Sequence, residues 1–156
     1  MNSPTISDSP KSQLKESPTF SPESVVRKFP KVLLVDDSKF LADVLATFFQ
    51  LDGFVARSAY GGQEALEACR NELPDIAFID LAMPGLDGLE VARQIKATYQ
   101  SNAPVLVALT GWDGDENRHA ATEAGFDHFL EKPVDPVSLR CFMSDLAEHD
   151  TGVSVH

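Results

Sequence analysis

From Lys31 onward the chain alternates short apolar runs with longer segments in which apolar residues recur three or four positions apart. The short runs, Val32 to Val35, Phe54 to Ser58, Ile76 to Ile79, Val105 to Leu109 and Phe126 to Leu130, predict strands. Several are apolar at consecutive positions, as strands are when both faces are covered in a parallel sheet between helices. The longer segments predict helices. Phe40, Leu41, Val44, Leu45, Phe48 and Phe49 repeat as a pair four residues apart and make one broad stripe. Gln63 to Arg70 buries Ala65, Leu66 and Cys69, and a third helix opens with Asp87 and Glu90 at capping-box spacing before Val91, Ala92 and Ile95. Asp113 to Ala124 is polar and Ala-rich and ends at Gly125, while Asp135 and Pro136 supply an N-cap and first-turn proline for a helix through Leu139, Phe142, Met143 and Leu146. Strand then helix, five times over, predicts an α/β domain: a doubly wound, five-stranded parallel sheet with five helices.

Ahead of that pattern, Met1 to about Lys28 is dominated by Ser, Pro, Thr and charged residues without apolar periodicity. Such a composition buries too little surface to offset the entropy of ordering. The expected organisation is a disordered tail over residues 1–30, one domain over 31–148 and a short tail over 149–156.

Composition narrows the function classes. A chain of 156 residues with 43% hydrophobic content has room for one domain with a proper core and none for a second. The formal charge of -11 belongs to the remainder of the chain, because the first thirty residues carry Lys11, Lys15, Arg27 and Lys28 against Asp8, Glu16 and Glu23. An acidic domain is repelled by phosphate backbones and anionic lipid, which argues against nucleic-acid or membrane binding. Cys69 and Cys141 lie in apolar helical patterns without CxxC spacing, so both read as reduced packing residues, which suits the cytoplasm. No apolar run has the length of a membrane span.

Four of the expected strands end on polar residues: Val35 leads into Asp36 and Asp37, Ile79 into Asp80, Leu109 into Thr110, and Leu130 through Glu131 into Lys132. One such residue means little; together they form a constellation at the strand ends where open parallel sheets bind ligands. Three carboxylates so gathered repel one another, so either one is protonated or a cation sits among them. Oxygen-only ligands point to magnesium, and the lack of a nearby His or Cys argues against zinc. A carboxylate so placed can attack phosphorus, with Lys132 and the Thr110 hydroxyl binding the remaining phosphoryl oxygens.

The order DD, then DLAMPGLDG at Asp80 to Gly88, then T, then KP resembles the receiver domain of two-component response regulators, including the single-domain chemotaxis receiver. The resemblance covers about Lys31 to Ala147 and implies a flavodoxin-like fold. By position it implies that Asp80 is the phosphoacceptor, that Asp37 binds Mg2+ directly with help from Asp36 and the backbone carbonyl of Ala82, and that Lys132 pairs with the phosphoryl group ahead of a cis bond to Pro133. Thr110 and Phe129 match the family's switch pair, and output would come from the face made by the fourth helix, fifth strand and fifth helix. The implied partners are a histidine kinase or histidine phosphotransfer protein upstream, and a protein target or a second copy of the chain downstream. The implied role is a phosphorelay switch rather than a turnover enzyme.

Ala82 is apolar where many receivers are polar, Gly111 stands where Ala often follows the switch Thr, and Trp112 is bulky. Gly111 is expected to loosen that loop, and Ala82 and Trp112 to set the lifetime of the acyl phosphate by limiting the hydrolytic water; the alternative for Trp112 is that it shields the loop or packs on a partner. Rival readings fit less well. A phosphatase of the haloacid dehalogenase type places a second Asp where Ala82 stands, and Asp36 and Asp37 would repel a flavin phosphate. The receiver of a hybrid kinase, or a phosphorylation-independent interaction module on the same fold, stands as the alternative; the intact acidic pair, Thr and Lys weigh against the latter. With no DNA-binding domain after the receiver, direct transcription control is not expected.

Overall fold

The computed structural model describes residues 22–111 and 115–152. The five apolar runs become parallel strands β1 (Lys31–Val35), β2 (Val55–Ala59), β3 (Ile76–Asp80), β4 (Val105–Thr110) and β5 (His128–Glu131), in one sheet of order β2-β1-β3-β4-β5. Every residue of β3 is buried, because β1 and β4 flank it and helices cover both its faces. Around the sheet lie α1 (Pro22–Lys28), α2 (Lys39–Leu51), α3 (Gly62–Asn71), α4 (Gly88–Tyr99), α5 (Asp115–Ala124) and α6 (Pro136–Gly152), with a 3-10 turn at Gln100–Asn102.

The helices start where the caps dictate. The Ser38 hydroxyl accepts from Leu41 N at 3.3 Å, the Asp87 carboxylate from Glu90 N at 3.0 Å and the Asp135 carboxylate from Ser138 N at 2.7 Å. Each satisfies a first-turn amide that the helix itself leaves without a partner. After α5 the chain turns at Gly125, whose φ of 114° suits glycine.

Alternation along the strands divides the core in two. Leu33, Val35, Ala77, Ile79, Leu106 and Ala108 face Ala65, Leu66, Val91, Ile95 and Ala121 of α3, α4 and α5. Val32, Leu34, Ile76, Phe78, Val107 and Leu109 face α1, α2 and α6, through Val25, Leu45, Phe49, Leu139 and Met143. Each large side chain so buried contributes about 1.5–3 kcal/mol, which is what holds strands and helices in register. The second layer carries a row of rings. Phe49 meets Phe54 edge-on at 5.2 Å and stacks on Phe78 at 5.8 Å, and Phe142 packs edge-on to Phe78 at 6.0 Å and to His128 at 5.4 Å. Outside it, Arg140 grips Asp52 at the end of α2 with two bonds of 3.0 and 2.7 Å and lies over the Phe48 ring. That fork ties α6 to α2.

The structure departs from the sequence expectation in several places, among them the apolar stripe of α2, where Phe40 and Val44 are exposed, and β2, which runs one residue later than expected. The folded body begins at least nine residues ahead of Lys31: Pro22–Lys28 is helical, and Val25 and Phe29 are 2% and 7% exposed. A seven-residue helix is unstable alone. It holds because Val25 and Phe29, one turn apart, pack with Phe49, Leu139 and Met143, a tertiary effect that leaves only three apolar positions in the sequence, Val25, Val26 and Phe29. The sheet is therefore covered by five helices and a sixth preceding them. At the other end α6 continues to Gly152, past the expected boundary at 148. Finally, Phe126 belongs to the turn rather than to β5, its N–H bonding Ala121 O at 3.0 Å, and the strand starts at His128. No described helix is long and apolar enough to cross a membrane. Cys69 is free and buried, Cys141 free and exposed.

Candidate functional site

The carboxyl end of β1 delivers Asp36 and Asp37 to the top of the sheet. Asp36 N bonds Ala59 O at 3.1 Å, continuing the strand pairing, and its carboxylate accepts the Ser38 amide at 2.9 Å. Asp36 is thereby 4% exposed, whereas Asp37 points to solvent. Asp80, the last residue of β3, is also 4% exposed, and its Oδ1 accepts the Ala82 amide at 3.1 Å. Gly88 fixes the next turn from above. A Cβ there would lie 2.5 Å from Asp80 O, so only glycine lets α4 start against the backbone of Asp80.

Thr110 ends β4 at 8% exposure, and its carbonyl accepts Lys132 N at 2.8 Å. Lys132, followed by a cis bond to Pro133, reaches back across the sheet end. Its Nζ lies 3.2 Å from Asp36 Oδ2 and 3.3 Å from Asp80 Oδ2, so one ammonium serves two buried carboxylates. Carboxylate oxygens of Asp36, Asp37 and Asp80 all lie within 4.8 Å of one another.

This arrangement perturbs the groups in it. Burial pushes the Asp80 carboxyl above its ordinary value, and the Asp36 charge adds to that; Lys132 and the Ala82 amide oppose it without prevailing. Burial also pulls Lys132 down, but its hydrogen bond to Asp36 and the charges of Asp80 and Asp36 outweigh that and raise it. An ion pair would ordinarily lower the acid as it raises the base. Here the acid rises because its burial, with the neighbouring Asp36 charge, outweighs the pull of the lysine. The site has more negative charge than its own lysine balances, and three carboxylates without His or Cys are a hard-oxygen donor set that fits magnesium better than a softer metal.

Over these groups lies a cavity of about 740 Å3. Its floor holds Asp36, Asp37, Asp80, Thr110 and Lys132. Its walls are the loop after β3 with the start of α4 on one side, and Gly111 with α5 on the other. Ala82 lines the wall, and Gly111 is exposed with nothing within 4 Å of a Cβ built on it. Trp112 lies outside the described residues. Phe129 on β5 packs against the core layer under α5, away from the acidic floor, with the Arg118 guanidinium 5.6 Å from its ring centre. The structure thus brings together Asp36, Asp37, Asp80, Thr110, Lys132, Ala82 and Gly111, and leaves Phe129 on the strand beside them. Met83, Leu89, Asn117 and Ala120 also line the cavity. Sequence reasoning missed these because nothing marks a residue inside a polar helix or a Pro/Gly loop as facing a cavity.

Comparison with known proteins bears on this geometry. A family model described as the response regulator receiver domain matches residues 32–143. Response regulator MprA of Mycobacterium ulcerans is 39% identical over 103 residues, which are 66% of this chain and 44% of that protein. The chain thus spans less than half the length of that relative. An uncharacterised 14.6 kDa protein from the sodA1 3' region of Leptolyngbya boryana is 34% identical over 108 residues, 69% of this chain and 82% of that protein. Among solved structures, the receiver domain of Francisella response regulator 1452 superposes with a TM-score of 0.68 at 30% identity, covering 78% of this chain and 98% of that one. Chemotaxis protein CheY4 of Vibrio cholerae gives 0.70 at 26% identity, covering 75% and 98%.

Proposed function

The chain belongs to the response regulator receiver domain family, whose general role is phosphorylation-based signalling, and on that premise we propose that Asp80 is its phosphoacceptor. The observation that carries this reading is the single ammonium of Lys132 held 3.2 and 3.3 Å from two buried carboxylates, with Thr110 ending the neighbouring strand. A carboxylate oxygen of Asp80 attacks phosphorus, the bond from phosphorus to the donor's imidazole nitrogen breaks, and its electron pair leaves with the ring. Lys132 and the Thr110 hydroxyl bind the phosphoryl oxygens as charge spreads over them. Asp36, Asp37, Asp80 and the Ala82 carbonyl would hold magnesium, which when bound supplies neutralising charge to carboxylates and phosphoryl group alike.

In this reading the donor is a histidine kinase or phosphotransfer protein, and the chain works in the cytoplasm as a switch rather than as a turnover enzyme. Thr110 follows the phosphoryl group and the Phe129 ring follows Thr110, shifting the population of the face built from α5, β5 and α6 toward a form that a protein target or a second copy of the chain recognises. Ala82, Gly111 and Trp112 set how readily water reaches the acyl phosphate.

Intact-mass spectrometry after incubation with acetyl phosphate tests the central claim. The expected result is a magnesium-dependent adduct of one phosphoryl group in the wild type and none in Asp80→Asn. An adduct that persists in Asp80→Asn would move the acceptor elsewhere.

A further inference from the structure

The cavity above Asp80 is larger than a phosphoryl group requires, and its two halves differ in chemistry. A volume of about 740 Å3 falls within the range of sites that enclose a small organic molecule. The half over the strand ends is charged. The half between the start of α4 and α5 is walled by Met83, Leu89 and Ala120, with the uncharged Asn117 side chain set among them and the exposed carboxylate of Asp87, the cap of α4, at its edge. Asn117 is partly buried, and its carboxamide has no hydrogen-bond partner among the described residues. An amide that is partly out of water and bonded to nothing in its own chain has capacity left for a ligand.

We infer that this half of the cavity is the seat of the leaving group, and that it is built for a flat, weakly polar ring. The inference rests on the reading of Asp80 as acceptor. An N-phosphorylated imidazole protonated on its distal nitrogen loses its phosphoryl group as neutral imidazole, so no further acid is required: the O–P bond to Asp80 forms, the P–N bond breaks and the distal N–H stays where it was. That N–H is a donor facing away from the phosphorus, and the Asn117 side-chain oxygen accepts it. Met83 supplies a polarisable sulfur for the ring edge, and Leu89 and Ala120 leave a slot between the helices. Acetate, the leaving group of acetyl phosphate, carries no N–H and no ring, so it gains nothing from either feature.

Asn117 is therefore a specificity residue for the donor, and the discriminating quantity is a ratio. The rates of Asp80 phosphorylation by N-phosphoimidazole and by acetyl phosphate are measured on the same preparation by intact mass, so that any loss of folded protein cancels. Asn117→Ala is expected to lower the ratio of the first rate to the second about fivefold, the value of one hydrogen bond. Ala120→Leu, which fills the slot without touching the charged half, is expected to lower it about tenfold. A ratio unmoved in Asn117→Ala overturns the assigned contact, and one unmoved in Ala120→Leu overturns the slot. Wild type that accepts phosphoryl groups from neither donor overturns the acceptor reading itself, and the slot with it.

Discussion

The two ends of the sheet both gather acids, and they use them differently. At the amino ends of the strands each carboxylate is matched. Asp75 accepts the Lys31 amide at 2.8 Å, Glu72 pairs with the Lys31 ammonium at 3.4 Å, and Asp127 accepts the Leu106 amide at 2.9 Å with Lys96 at 3.4 Å. At the carboxyl ends Asp36 and Asp80 share the one ammonium of Lys132, and Asp37 beside them adds a third carboxylate that the lysine does not pair. Acids at the first end complete the strand pairing and leave little for a ligand. Those at the second end are left with unbalanced charge, and Asp36 and Asp80 are buried where water screens it poorly. A fold that tolerates such a deficit at one end and not at the other has reserved that end for something that supplies positive charge and takes up the carboxylates' lone pairs.

The largest expected difference between the ends is kinetic. Lys132→Met should slow phosphorylation of Asp80 by about 100-fold or more, the usual cost of removing a donor to a developing charge. Lys96→Met, at the other end, should leave the labelling rate unchanged and cost less than about 1 kcal/mol in urea denaturation, because its pair with Asp127 is partly exposed. Phe29→Ala should cost about 3 kcal/mol in the same denaturation experiment, since the ring is 7% exposed and anchors α1. An unchanged midpoint would detach α1 from the cooperative unit.

Gly88→Ala blurs the division between the ends, and so tests it. The added methyl has Asp80 O in its way, and a cost of about 1–3 kcal/mol should come together with slower labelling, because the strain falls on the acceptor's own backbone. Asp75→Asn and Asp80→Asn sharpen it with opposite signs. The first weakens a matched group and should lower the melting temperature. Asp80 has its carboxyl raised in the folded state, so the folded protein binds that proton more tightly than the unfolded chain does, and stability attributable to Asp80 falls as pH rises from the ordinary value of 3.8 through the folded one. At neutral pH the charge is a burden, and Asp80→Asn in the presence of a chelator should raise the melting temperature, by about 2–4 °C for each kcal/mol relieved. A lower melting temperature would show that Lys132 more than offsets the burial.

What the sequence made legible follows from where the signals are local. Ile76 to Ile79 reads as a buried strand because every position in it is apolar, and the structure buries them all. Asp87 and Asp135 read as caps, and both carboxylates accept the amide three residues on. The acidic pair, Asp80, Thr110 and Lys132 stood out because each terminates an apolar run. Features that join distant segments were not legible. Val25 and Phe29 owe their burial to α2, Phe54 and α6, the fork from Arg140 to Asp52 spans 88 positions, and the wall that holds Asn117 exists only once α5 lies across from α4. The sharing of Lys132 between Asp36 and Asp80 is of the same kind. Spacing brought the three groups to one end of the sheet, and only the packed structure shows that the lysine divides its attention.

The contact between α1 and α6 has a mechanical corollary. The first and last described helices share one patch of core, through Val25, Leu139 and Met143. Tension applied between the two ends of the described chain is therefore borne first by that helix pair, which can peel one turn at a time. β3, in the middle of the sheet between β1 and β4, is loaded only after its neighbours give way. Asp80 would thus keep its strand environment, at the top of the sheet, through the early stages of extension.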